Sequence, residues 1–166
     1  MSSRKPNLQQ IPTDEKFRSA FVAPKGKVII TTDYDNQESR IMANKAKDKV
    51  YIGFFNSKGG DVHSFVATKM FSAAFGRNFI VTRTNENKDY RQKGKIINFF
   101  ISFGGSAYVL SKFLKLSQQE TQELINAFFR GFPALEKMFN ESKSFAIKHG
   151  FIRTNSITNR IRWFPA

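Results

Sequence analysis

The segment that most constrains this chain runs Arg91-Gln92-Lys93-Gly94-Lys95-Ile96-Ile97-Asn98-Phe99-Phe100-Ile101-Ser102-Phe103-Gly104. Arg91, Lys95 and Phe99 recur at four-residue spacing, which on a helix keeps all three on one face. Ile97, Phe100 and Ile101 fall on the opposite side, where they can anchor the helix to a core. At ~1.5 Å per residue, the face from Arg91 to Phe99 is roughly 12 Å long. Charge first and an aromatic ring last match a nucleoside triphosphate, with its charged tail, sugar and base in that order. The face reads as a nucleotide-recognition element, and a solvated basic face beside a core Phe is the plainer alternative. Gly94 and the pair Gly104-Gly105 bracket it.

The charge of the chain supports a polyanionic partner. Lys and Arg total 27 against 13 for Asp and Glu, a formal net charge of +14. Self-repulsion of that size destabilises a compact state unless an anion answers it. Nucleic acid is the first candidate and an anionic membrane surface the second. No apolar run reaches the ~20 residues of a membrane span. Hydrophobic residues make up 40% of the 166 residues, enough for the core of one domain or part of a larger one. There is no cysteine, which excludes disulfides and thiolate chemistry and permits a cytosolic setting. With only His63 and His149, a His-based zinc site is disfavoured.

The pattern of elements is α+β. Residues 21–23 and the β-branched run at 28–32 predict strands, the second of them buried. Helices are predicted at 37–47, 62–75 and 91–104, with a polar loop at 77–88. Ser117-Gln118-Gln119-Glu120 is a capping box that opens another helix. Pro133 starts a last helix that Gly150 ends. The middle is helical and both ends lean toward strand, as in a helical insertion on a partial sheet.

Asp33 follows the 28–32 run, where a strand end would hold a carboxylate rigidly in reach of solvent. Alone it reads more readily as a turn or capping aspartate. Asp35 and Glu38 make it an acid-rich cluster inside a strongly basic chain. Such a cluster suits Mg²⁺, which takes one or two carboxylates and completes its shell with phosphate oxygens and water. His63 could serve as a base or ligand, although a lone histidine is more often structural.

Four blocks, taken in order, resemble DNA polymerase family A. Ser2-Ser3-Arg4-Lys5-Pro6-Asn7-Leu8-Gln9-Gln10-Ile11-Pro12 is similar to the family's S-S-x-x-P-N-L-Q-N-I-P segment along the primer–template duplex. Asp33-Tyr34-Asp35-Asn36-Gln37-Glu38-Ser39-Arg40 resembles motif A, usually D-Y-S-Q-I-E-L-R. Asp61-Val62-His63 matches D-I-H at the fingers. The Arg91 segment resembles motif B, R-x-x-x-K-x-x-x-[FY]-x-x-x-Y-G. Residues 150–165 are similar to the segment that returns the chain to the palm.

The resemblance implies a division into partial palm (1–45), helical fingers (46–149) and a return toward the palm (150–166). It assigns catalysis to Asp33 and Lys95, and Mg²⁺ binding to the Asp33 carboxylate and the Tyr34 carbonyl. Arg91, Lys95 and His63 would hold the triphosphate of a dNTP, Phe99 its sugar, and Phe103 the nascent base pair. Glu38 would fill the space of a ribose 2′-OH. Asn7, Gln9, Gln10, Arg40 and Gly104 would lie along the DNA primer–template. Phe99, rather than Tyr, resembles members that discriminate against dideoxynucleotides.

The departures are specific. Asp35 and Asn36 replace Ser-Gln, and Gln37 and Ser39 replace Ile and Leu, which predicts less apolar packing of the first helix. Phe100 stands where the family has a small Gly, and Phe103 where it has Tyr. Neither histidine is followed by Asp, so the family's His-Asp-Glu motif C is not in this sequence. The expectation is therefore a piece of a DNA polymerase, inactive alone: either a split-gene subunit completed by a second polypeptide that carries motif C, or a truncated reading frame. The competing readings are a non-catalytic basic DNA-binding module and a single-subunit RNA polymerase fragment. Glu38 argues against the latter, and the Asp33 acid cluster is unexplained by the former.

Overall fold

The computed structural model describes residues 11–12, 14–57, 60–154 and 158–164. The chain divides into two compact units, Met1–Asp35 and Asn36–Ala166. In the first, a single helical turn, α1 (Glu15–Arg18), is capped by Asp14, whose carboxylate accepts from the Lys16 N–H at 2.9 Å. A turn at Pro24–Lys27 follows, with Gly26 at φ +80°.

The strands expected at 21–23 and 28–32 are not formed. Val28, Ile29 and Ile30 are 80%, 58% and 78% exposed, so the expectation of a buried strand is wrong for this unit. The physical reason is pairing. β-branched residues favour a pleated, half-buried surface, and a strand without a ladder leaves its backbone groups to water. Among the described residues no segment pairs with this run.

The second unit is helical. Its elements are α2 (Gln37–Ala46), α3 (Lys49–Asn56), α4 (Val62–Phe75), α5 (Lys88–Ser102), α6 (Ala107–Leu114), α7 (Gln118–Gly131) and α8 (Pro133–His149). The antiparallel pair β1 (Phe151–Arg153) and β2 (Ile161–Trp163) follows, with Phe151 opposite Trp163. Helical elements and an antiparallel pair give the expected α+β class. The predicted capping box is present: the Ser117 hydroxyl accepts from the Glu120 N–H, and the Glu120 carboxylate accepts from the Ser117 N–H. Gly150 ends α8 at φ +71°, a left-handed conformation that glycine adopts without steric cost.

α4 lies at the centre, packed against α5 on one side and α7 on another. It buries Val62, Val66, Ala67, Met70 and Phe71, which fits a helix apolar on most of its circumference. Tyr51, Phe128, Phe132, Ile97, Leu110 and Leu135 complete the core, all fully buried. Each such side chain contributes about 1.5–3 kcal/mol of apolar transfer. The α4–α5 contact depends on a small residue: a Cβ on Gly94 would stand 2.7 Å from the Ala67 Cβ. The predicted loop after α4 is more than a polar connector. Phe79 and Val81 are buried, and Ser72 and Thr68 of α4 accept their N–H groups at 3.0 and 2.9 Å.

Among the described residues, no helix is long and apolar enough to cross a membrane.

Candidate nucleotide-binding site

Helix α5 carries the charged face predicted from its spacing. Ile97 and Ile101 are buried, so the helix docks by the side opposite Lys95, whereas Phe100, expected on that side, is half-buried and borders the same cleft as Lys95. Lys95, Phe99 and Phe103 then line one open cleft of about 500 Å³, together with Ile96, Phe100 and Phe113. Phe103 is 75% exposed at the C-cap of α5. The chain turns away there through Gly104 at φ +71°, whose N–H donates to the Ile101 carbonyl at 3.0 Å.

Phe100 fits because Gly105 makes room for it. A Cβ on Gly105 would fall 1.8 Å from the Phe100 ring. The ring also faces Phe113, with centroids 6.2 Å apart. The bulky residue at 100 and the absent side chain at 105 thus form one packing unit.

Arg91 is held one turn before Lys95 by Asp61, the N-cap of α4. The Arg91 Nη2 donates to Asp61 Oδ1 at 2.8 Å, and its Nε donates to Oδ2. Ser64 Oγ donates to the same Oδ2 at 2.6 Å, and Arg83 Nε lies 3.2 Å from it. Burial alone would raise the Asp61 pKa; the hydrogen bonds from Arg91, Ser64 and Arg83 outweigh it and hold the carboxyl well below its usual range. The same hydrogen bond to Asp61 raises the pKa of Arg91. Asp61 is the functional residue that the sequence reading passed over: the D-x-H match directed attention to its histidine, while its own partners lie 22 and 30 residues downstream.

His63 packs its ring against Phe99, with centroids 5.6 Å apart. Its Nδ1 is buried without a hydrogen-bond partner. Burial, then the positive charges of Lys95 and Arg91, push its pKa down. A neutral imidazole with a buried, unpartnered nitrogen therefore sits beside the two cations.

A second arrangement ties α2 to α5. The Tyr51 hydroxyl donates to Asn98 Oδ1 at 2.8 Å, and Asn98 Nδ2 donates to Ser39 Oγ at 3.1 Å. All three are buried. Burial pushes the Tyr51 phenol pKa up, which keeps it a donor. Ser39 takes the place of an apolar residue because its hydroxyl answers the buried amide. Glu38 and Arg40 flank it in sequence, and Phe99 follows Asn98, so this bond fixes the two helices that carry them. Glu38 is exposed in the first turn of α2. Arg40 lies with its guanidinium 4.5 Å from the Phe55 ring centre and does not line the α5 cleft.

Asp33 and Tyr34 belong to the first unit, on exposed chain. Asp33 Oδ1 accepts from the Tyr34 N–H at 2.9 Å. A carboxylate and a backbone carbonyl are hard oxygen donors of the kind Mg²⁺ prefers. Among the described residues, no group of three Asp, Glu, His or Cys side chains converges as a metal cage. The donor set therefore fits a cation that draws its remaining ligands from phosphate oxygens or water. Asn7, Gln9 and Gln10 lie outside the described residues.

Comparison with known proteins decides the family. The family model described as DNA polymerase family A matches residues 1–166. The chain belongs to that family. This family A chain is 36% identical over 170 residues to DNA polymerase I of Mycobacterium tuberculosis (strain ATCC 25618 / H37Rv), covering 99% of this chain and 18% of that protein. It is 33% identical over 167 residues to DNA polymerase I of Caldicellulosiruptor bescii, covering 98% and 18%. Its fold matches a solved polymerase domain of Pol1 from M. smegmatis, in complex with DNA primer-template and dNTP. That match has a TM-score of 0.75 at 31% identity and covers 99% of this chain and 28% of the other. The family A chain thus spans less than a fifth of the length of these two relatives.

Proposed function

We propose that this chain forms the fingers and part of the palm of a template-directed DNA polymerase and grips the incoming dNTP along α5. The observation that carries this reading is the placement of Lys95, Phe99 and Phe103 on one open cleft, with Arg91 and His63 beside them. Arg91 and Lys95 bind the triphosphate as fixed cations, with His63 beside them. Phe99 packs against the sugar, Phe103 against the base pair, and Glu38 excludes the ribose 2′-OH. Asp33, with the Tyr34 carbonyl, would hold Mg²⁺, an ion that would supply charge neutralisation for phosphoryl transfer.

Phosphoryl transfer needs positioned charge more than covalent chemistry, and these side chains supply the nucleotide end of it. A two-metal reaction also needs a carboxylate opposite Asp33. Asn7, Gln9, Gln10, Arg40 and Gly104 lie along the primer–template, and the opposing carboxylate comes from a His-Asp-Glu segment, which residues 1–166 do not contain. Alone, the chain binds dNTP and DNA without turnover.

Reconstitution tests the reading. Mixed with a polypeptide carrying that segment, the chain should extend a primer with dNTP in preference to rNTP, and Glu38→Ala should relax the preference. Extension that favours rNTP from the start would overturn the assignment. DNA binding that is indifferent to dNTP and produces no extension would favour a non-catalytic module.

A further inference from the structure

We propose that Arg83 and Lys88 continue the phosphate grip of Arg91 into a second anion cleft, which takes the terminal phosphates of a polyphosphate. The ligand class is the tail of a nucleoside triphosphate or the pyrophosphate it leaves behind. This rests on the dNTP reading of α5 given above.

The cleft has a volume of about 420 Å³ and is lined by Arg83, Lys88, Arg91 and Gln92. Gln92 also lines the cleft of Lys95 and Phe99, so the two adjoin. Three cations face this space, and neither Glu86 nor Asp89 lines it. Asp61 holds both guanidiniums but leaves donors on each. It takes Nε and one Nη2 bond from Arg91, and it pairs with Nε of Arg83. A guanidinium has five N–H donors, so the outer edges stay open for a phosphate. The Arg83 side chain is 70% exposed, whereas that of Asp61 is 15% exposed, which puts the carboxylate behind and the cations in front.

The presenting loop is fixed. Val81 N–H donates to Thr68 Oγ1 at 2.9 Å, Thr82 N–H to Asn85 Oδ1 at 3.1 Å, and Asn85 Nδ2 to the Ile80 carbonyl at 2.9 Å. Lys88 opens α5, where the helix N-terminus adds to the favourable potential for an anion.

The test is calorimetric titration of the full chain with tripolyphosphate, with dNTP and with a short DNA duplex. Arg83→Gln should weaken tripolyphosphate and dNTP binding by about tenfold, the size of one charge-assisted bond at an exposed site. Lys88→Gln should weaken both in the same direction by less. Melting curves check that each variant is folded. Unchanged tripolyphosphate affinity in Arg83→Gln, with dNTP binding still dependent on Lys95, overturns this cleft and leaves the dNTP reading intact. A loss confined to the DNA duplex overturns it in favour of a backbone contact. dNTP binding indifferent to Lys95→Ala overturns the dNTP reading and this extension of it. No binding of tripolyphosphate by the unmodified chain also overturns the cleft.

Discussion

The charged face of α5 and the segment around Asp33, both proposed to meet phosphate, are built differently. Arg91 is fixed by a two-bond contact with Asp61, His63 by Phe99, and α5 by Ile97, Ile101 and the Gly94–Ala67 approach. Asp33 follows an exposed run that pairs with no strand among the described residues, and its carboxylate accepts from the Tyr34 N–H. Side chains set by a core are organised before a ligand arrives, whereas a carboxylate on an unladdered segment is not. The proposed nucleotide face is therefore preorganised within the second unit, and the proposed metal ligand Asp33 is not preorganised within the first.

That contrast can be broken most forcefully through the core. Phe132→Ala should cost about 3–5 kcal/mol in urea denaturation, since the ring is fully buried among Tyr51, Phe65 and Phe128. Ile30→Thr, on the exposed run, should change stability by less than about 0.5 kcal/mol. A large loss at Ile30 would show that the first unit has a packed role of its own. Gly94→Ala should cost about 1–3 kcal/mol, because its methyl meets Ala67 and must part α4 from α5. No loss there would mean the helices can slide apart freely.

A smaller effect concerns the clamp. Asp61→Asn should keep the fold but loosen Arg91, weakening dNTP binding about threefold to tenfold through lost preorganisation. Tighter binding would show instead that Asp61 competes with the phosphate.

The smallest effect is on pH dependence. The folded His63 pKa lies below its ordinary 6.5, so below about that pH the unfolded chain takes up a proton that the folded one resists. Stability should fall as pH drops from 7.5 to 5.5, and His63→Gln should flatten that slope. Asp61 adds nothing in this window, because its stabilisation is lost only in acid, as pH falls through its lowered pKa. An unchanged slope in His63→Gln would place the titration elsewhere.

Much of the second unit was legible because local signals and packing agree there. Four-residue spacing gave the face of α5, the capping box gave the start of α7, and Gly150 gave the end of α8. The 28–32 run misled because β-branched composition reports a preference for a pleated surface, while a strand also needs a partner that local sequence does not name. Asp61, Arg83 and the Ser39–Asn98–Tyr51 chain were hidden for a related reason. Their partners lie 22 to 59 residues apart, beyond any helical or strand period. Phe100 looked out of place until Gly105, five residues on, proved to be where its ring lies.

The claim that the nucleotide grip is complete within the second unit can be measured directly by titrating dNTP into the chain without added metal. The account predicts that Lys95→Ala weakens binding by about tenfold, as loss of one charged contact should. It predicts that Asp33→Asn leaves the affinity within about twofold, because without metal the carboxylate has no ion through which to reach the phosphates. Binding that ignores Lys95 and falls with Asp33 would contradict it.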